Sequence, residues 1–171
     1  MGCDRGCGGR DRRRGPRLGR RPRRVGTGAA PSRRPACGLT VVGLYVLDST
    51  VLIDFLRGRP AVKRVAALRE AGDVPATTAI NVDEIVRGLR AGEEPAVRSL
   101  VDGLAVLPFG RRVGWRAGEW RREFAARGIT LYQADCLVAG AAWAHNGVLV
   151  TGNPKDFPMD DVTVEHWPVG S

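Results

Sequence analysis

Four carboxylic acids in this 171-residue chain sit where chemistry accounts for them better than packing does. Asp48 ends an apolar run, Glu84 and Asp135 lie inside otherwise apolar helical stretches, and Asp156 closes the segment Thr151-Gly152-Asn153-Pro154-Lys155-Asp156. Taken singly each is ordinary: Asp48 could cap the helix after it, Asp135 would be favoured in a first turn by the helix dipole, and Glu84 could face solvent. Taken together they repel one another, and a divalent cation removes that cost. Oxygen-only ligands select a hard ion, Mg²⁺ or Mn²⁺, held through a few carboxylates plus substrate phosphate. Phosphodiester hydrolysis is the matching reaction: one ion activates water, and a second, if present, steadies the leaving oxygen.

Other chemistries lack their parts. There is no Gly-rich phosphate loop with a lysine and no dinucleotide fingerprint. The two histidines, His145 and His166, form no helical pair for zinc, and His145 reads as a helix C-terminal residue rather than a base. Of the cysteines, Cys3, Cys7 and Cys37 have no histidine nearby to complete a zinc set, and Cys136 falls in an apolar helix pattern as a small buried hydrophobe. No run of about 18 apolar residues is present, so no membrane span is expected, and a reducing cytosol suits the cysteine pattern.

The elements that must position these acids alternate in type. Val41–Leu47 is a near-continuous apolar run of the kind buried on both faces of a parallel sheet. Helical patterns follow over Val51–Arg57 and Pro60–Ala71, with Gly72 as stop, and then a short strand over Val74–Thr77. Helices over Ile80–Leu89 and Pro95–Leu104 lead to a strand over Ala105–Pro108. A longer helix spans Val113–Arg127, another Ala134–Asn146, and strands over Val148–Thr151 and Val162–His166 close the chain. Strands separated by helices imply right-handed crossovers, hence an α/β fold of three α/β/α layers around a mostly parallel central sheet. Ligands gather at the carboxyl ends of such strands, where Asp48, Thr151, Asn153 and Asp156 fall. Asp54 is assigned to a solvated helix face.

Charge divides the chain in two. Residues 1–40 hold twelve Arg against two Asp, a net of +10, which leaves residues 41–171 with a net of −1. The first segment is rich in Arg, Gly and Pro and poor in large apolar residues, so it is expected to be a disordered extension of one domain over 41–171. It reads as a phosphate-binding arm, as an export signal built on Arg33-Arg34, or as sequence upstream of the true start. The high overall basicity is therefore a property of this segment and not of a basic RNA-binding fold. Within the body, Arg111, Arg112, Arg116, Arg121 and Arg122 interleave with Trp115 and Trp120. One or both tryptophans are expected to pack in the core or a dimer interface rather than to contact RNA.

From about Tyr45 to Trp167 the sequence resembles the PIN-domain ribonucleases and, among them, the VapC toxins of bacterial toxin–antitoxin pairs. The resemblance is carried by Val46-Leu47-Asp48-Ser49-Thr50-Val51-Leu52-Ile53-Asp54, by the helix around Glu84 with Gly88 four residues on, by Asp135-Cys136-Leu137-Val138-Ala139, and by Thr151-Gly152-Asn153-Pro154-Lys155-Asp156-Phe157. It implies a Mg²⁺-dependent endoribonuclease, with Asp48, Glu84 and Asp135 as the acidic metal site and Asp156 as a more peripheral fourth acid. Ser49 or Thr50, Thr151 and Asn153 are implied to orient ligands and water. A homodimer and a cognate VapB-type antitoxin, whose C-terminal segment blocks the acidic site, are implied as well. Gly152 departs from the pattern, since many relatives carry a basic residue there. Glu84 is chosen over Asp83 because Ile80, Glu84 and Gly88 share one helix face. Two other readings are a catalytically silent PIN-like interaction module, which would be expected to have lost an acid, and a DNA-directed metal nuclease, which would need added elements to grip a duplex.

Overall fold

A computed structural model describes residues 42–170. The reading of residues 1–40 as an extension, with Cys3, Cys7 and Cys37, lies outside the described residues. The chain runs β1 (Leu44–Leu47), α1 (Ser49–Leu56), α2 (Ala61–Glu70), β2 (Val74–Thr78), α3 (Ala79–Arg87), α4 (Glu94–Asp102), β3 (Ala105–Leu107), α5 (Arg111–Ala125), α6 (Gln133–Ala144), β4 (Val148–Thr151), a single 3₁₀ turn (Pro154–Asp156) and β5 (Val164–His166). Each strand and helix expected from periodicity is present, within a few residues at its ends. The first strand starts later than the apolar run suggests. The N–H of Gly43 is taken by the Asp73 carboxylate at 2.8 Å instead of by a neighbouring strand. The 3₁₀ turn was not anticipated, because three residues are too short to show a period.

The five strands form one parallel sheet in the order β3-β2-β1-β4-β5. β1 through β3 build outward in one direction, and the chain then returns through α5 and α6 to place β4 on the other side of β1. The order therefore reverses between β1 and β4, and a crevice opens beyond their carboxyl ends. Register sets Leu47 beside Val150, so Asp48 emerges next to Thr151.

Side chains alternate across the strands and fill two cores. Val46, Ala76, Leu107 and Leu149 pack with Trp120, Phe124, Val138 and Ala142 of the α5–α6 layer. Leu47 and Val150 face the other way, onto Val51, Leu52, Val65, Val97 and Leu100 of α1, α2 and α4. The central strands β1 and β4 are covered on both faces, which is why they read as continuous apolar runs. Among the described residues no helix is long and apolar enough to cross a membrane.

Asp54 corrects the sequence reading. It is not on a solvated face: its side chain is 2% exposed. One carboxylate oxygen accepts from the N–H of Ala61, the first residue of α2, at 3.3 Å, and the other accepts from the N–H of Gly170 at 3.0 Å, with the Arg59 guanidinium 3.8 Å away. The polar position on α1 is covered by the start of α2 and by Gly170, 116 residues on, a fact the helical period cannot report. Replacing Asp54 by Ala would leave two N–H groups without an acceptor, so urea denaturation of Asp54→Ala is expected to show a loss of about 2–3 kcal/mol. A loss under about 0.5 kcal/mol would instead fit the solvated face.

Candidate active site

Asp48 sits one residue past β1 and one before α1, the N-cap position, yet its side chain makes no capping hydrogen bond. Its carboxylate is instead held from several sides. Oδ2 accepts from the hydroxyls of Thr50 and Thr151, each at 2.9 Å, while Oδ1 accepts from the Asn81 amide at 3.2 Å and from the Ser49 hydroxyl at 3.4 Å. Those donors come from α1, β4 and α3, so three elements converge on one side chain. The hydroxyls are themselves fixed, since Thr50 Oγ1 accepts from the Gly152 N–H and Thr151 Oγ1 from the Asn153 N–H, both at 3.0 Å. The simple capping alternative for Asp48 is thereby removed.

Asn81 was missed in the sequence. It is fully buried at the start of α3, and its side-chain oxygen accepts from the Thr78 hydroxyl at 2.6 Å while its amide reaches Asp48. Thr78 returns a long capping bond by accepting from the Asn81 N–H at 3.4 Å. The pattern Thr78-Ala79-Ile80-Asn81 at a strand-to-helix junction carried a capping signal, but nothing local disclosed that the amide would turn toward a carboxylate 33 positions away.

The remaining acids gather around the same crevice. Asp135 lies in the first turn of α6, and its carboxyl is pushed up to about 6, first by burial and then by the negative charges of Asp156, Asp48 and Glu84 in that order. That field places Asp48, Glu84 and Asp156 within electrostatic reach of Asp135. Glu84 is half-buried and contributes to it, whereas Asp83 is exposed and does not. Asp156, at the end of the 3₁₀ turn, is exposed and accepts from the Asn153 amide at 2.7 Å. Cys136 is fully buried, and burial together with Asp135 pushes its thiol up to about 11, which suits a packing role. Gly152 has a steric reason for departing from the family pattern: an added Cβ would stand 2.7 Å from Val169.

The donor set fits a hard divalent ion. It is all oxygen, and among the described residues no Lys, Arg or His forms an ion pair with any of the four acids. No three of the described His, Cys, Asp or Glu side chains close on one point as a ready-made cage. An ion that keeps several waters, as Mg²⁺ does, needs only one or two direct carboxylates and suits so open a cluster.

The PIN domain matches residues 45–160. Ribonuclease VapC10 of Mycobacterium tuberculosis is 29% identical over 117 residues, covering 68% of this chain and 87% of the relative. Ribonuclease VapC1 of Haemophilus influenzae is 25% identical over 132 residues, covering 72% and 98%. Among solved structures, VapBC2 from Rickettsia felis bound to a DNA fragment of its promoter superposes with a TM-score of 0.65 at 22% identity, over 72% of this chain and 98% of the other. That likeness carries the fold.

Two measurements check the site. Asn81→Ala removes a hydrogen bond to a charged group and half of a cap, so unfolding in urea is expected to show a loss of about 2–3 kcal/mol. For Asp135 the folded-state pKa, about 6, lies above the ordinary carboxylate value of 3.8. Without metal, stability must then fall as pH rises from about 4 to about 6 and stay reduced above that. Asp135→Asn is expected to remove this slope and to gain about 1–2 kcal/mol at pH 7.5, a figure discounted for partial solvent screening. A variant no more stable than the parent at that pH would contradict the raised Asp135 carboxyl.

Proposed function

This chain belongs to the PIN-domain family, and from that premise we propose that it is a metal-dependent endoribonuclease, the VapC-type toxin of a toxin–antitoxin pair, acting in the cytosol. The observation that carries the reading is the fixed Asp48 carboxylate at the point where the strand order reverses, together with Asp135, whose carboxyl is raised first by burial and then by the charges of Asp156, Asp48 and Glu84.

Asp48, Glu84 and Asp135, with Asp156 at the rim, would hold Mg²⁺ or Mn²⁺. When bound, the ion supplies Lewis acidity that makes water a nucleophile near neutral pH and offsets charge on the phosphate. The chain's own residues supply the geometry. Thr50, Thr151 and Asn81 hold both oxygens of Asp48 so that the carboxylate need not reorganise as charge develops. Ser49 adds a longer bond to the same group, and Asn153 holds Asp156 toward the crevice. Glu84 reaches the cluster from α3 and Asp135 from the first turn of α6, whose dipole partly offsets the cost of keeping a carboxylate there.

The proposed partners are an RNA substrate, a VapB-type antitoxin and a second copy of the chain. A groove between α1, α3 and α4, lined by apolar Ile53, Leu56, Leu89 and Val97 and by charged Arg57, Arg90 and Glu93, opens beside Glu84 and offers a mixed apolar and charged seat for an antitoxin segment. Val106 of the edge strand β3 and Phe109 just after it are exposed and available for self-association.

The reading is tested on total cellular RNA with Mg²⁺ and with EDTA. The parent chain is expected to give discrete fragments only with metal, and Asp135→Asn to lose cleavage by about a hundredfold or more. Thr151→Val, which keeps shape but loses the hydroxyl on Asp48, is expected to lose about ten- to a hundredfold. Cleavage that persists in EDTA or in Asp135→Asn would overturn the proposal.

A further inference from the structure

A pocket lies on the α5–α6 layer, away from the acids. The sequence left open whether Trp115, Trp120 or both would pack, and the structure separates them. Trp120 is in the core with its N–H on Asp161 at 3.0 Å, while Trp115 is 72% exposed. Beside Trp115 is a pocket of about 300 Å³ lined by Arg111, Arg112, Trp115, Arg116, Glu119 and Trp143.

Two of the charged groups lining this pocket are already engaged. Arg116 is paired with Glu119, Glu123 and Asp161. The two oxygens of Glu119 are taken by Arg116 and by the Trp115 indole N–H, so the exposed Trp115 ring is held in place. Arg111 and Arg112 have no ion-pair partner among the described residues, and the Arg112 guanidinium lies 5.2 Å from the centre of the Trp143 ring. Both occupy the first turn of α5, which has no acidic residue there and no side-chain cap. Cations at that end oppose the helix dipole. An anion bound in the pocket would relieve both conflicts.

We propose that this pocket binds one nucleotide of single-stranded RNA, its base stacked on Trp115 and its phosphate on Arg111 and Arg112. The choice of RNA as the polyanion rests on the ribonuclease reading. Held indole faces alternating with unpaired guanidiniums are what single strands use: stacking for the base and charge for the backbone. The pocket is at the lower end of small-ligand size, too small for a folded peptide element. Position agrees as well. α5 and α6 run antiparallel, with Arg112 over Trp143 and Val113 against Gly140, so the later turns of α5 bring Arg121 and Arg122 alongside the first turn of α6. Trp143 and Asp135 are eight residues apart on one helix, about 12 Å, a span of about three or four stacked nucleotides. Between them Gly114 and Gly118 leave the outer face of α5 flat, since a Cβ at either would meet nothing. The pocket would thus grip the strand at a fixed offset from the scissile phosphate.

The test uses the full chain carrying Asp135→Asn, in EDTA so that nothing is cut, at raised salt to suppress non-specific backbone binding. Affinity for a labelled hexaribonucleotide is read by anisotropy, and a 4-thiouridine version is photo-crosslinked and the modified peptide mapped. Trp115→Ala and Arg111→Ala/Arg112→Ala are each expected to weaken binding about tenfold, Trp115→Phe to restore most of it, and the crosslink to fall on the Trp115 peptide. Unchanged affinity, or a crosslink elsewhere, overturns the inference. So does a loss of self-association or of antitoxin binding in these variants with RNA binding intact, which would make the pocket a protein-docking site. Binding without any cleavage by the parent chain would uphold the pocket and sink the nuclease reading, whereas cleavage with an unaltered KM in Trp115→Ala would do the reverse.

Discussion

The burial of Asp135 within the field of three further carboxylates, beside the reversal of the strand order, is the constraint around which this fold is arranged. Nothing in a hydrophobic core calls for Asp48, Glu84 and Asp156 to gather about Asp135, whose carboxyl is raised first by burial and then by their charges. A protein retains such a conflict where function needs it. The sheet supplies the meeting point: β1 and β4 are neighbours only because the α5–α6 crossover carries the chain back past β1, and that return also delivers the first turn of α6 to the crevice.

The support for Asp48 extends well beyond its neighbours in sequence. Thr50 and Thr151 each accept a backbone N–H while donating to the carboxylate, so the loop after β4 is tied to the same group as the start of α1. Asn81 ties in α3 and, through Thr78, the end of β2. Charge placement, local stability and the shape of the crevice are therefore one arrangement. The Arg111–Arg112 pair at the start of α5 is a second local conflict, cations against a helix dipole, on a layer whose interior is otherwise well packed.

Much of this was legible in the sequence. Apolar runs gave the strands, because a parallel sheet covered on both faces needs them, and glycines past the helix ends marked the stops, as at Gly72 and Gly128, both with positive φ. Asp48 and Asp156 were legible by their place after strands, and Glu84 and Asp135 as acids inside otherwise apolar helical stretches. What escaped depends on contacts between distant segments. Asp54 looked solvated until Ala61 and Gly170 covered it, and Asn81 drew no attention until its amide was set against Asp48. The split between Trp115 and Trp120 likewise needed the packing of α5 on α6, since both lie in the same basic stretch.

The most direct test of the central claim, that the four acids form one cation site, is the thermal stability of the full chain at pH 7.5 as Mg²⁺ is titrated in. A cation bound only by the folded cluster must raise the melting temperature with the logarithm of its concentration once above its Kd, and Asp135→Asn must lose most of that dependence. A melting temperature that stays flat to about 20 mM, or that rises equally in the parent and in Asp135→Asn, would contradict the account.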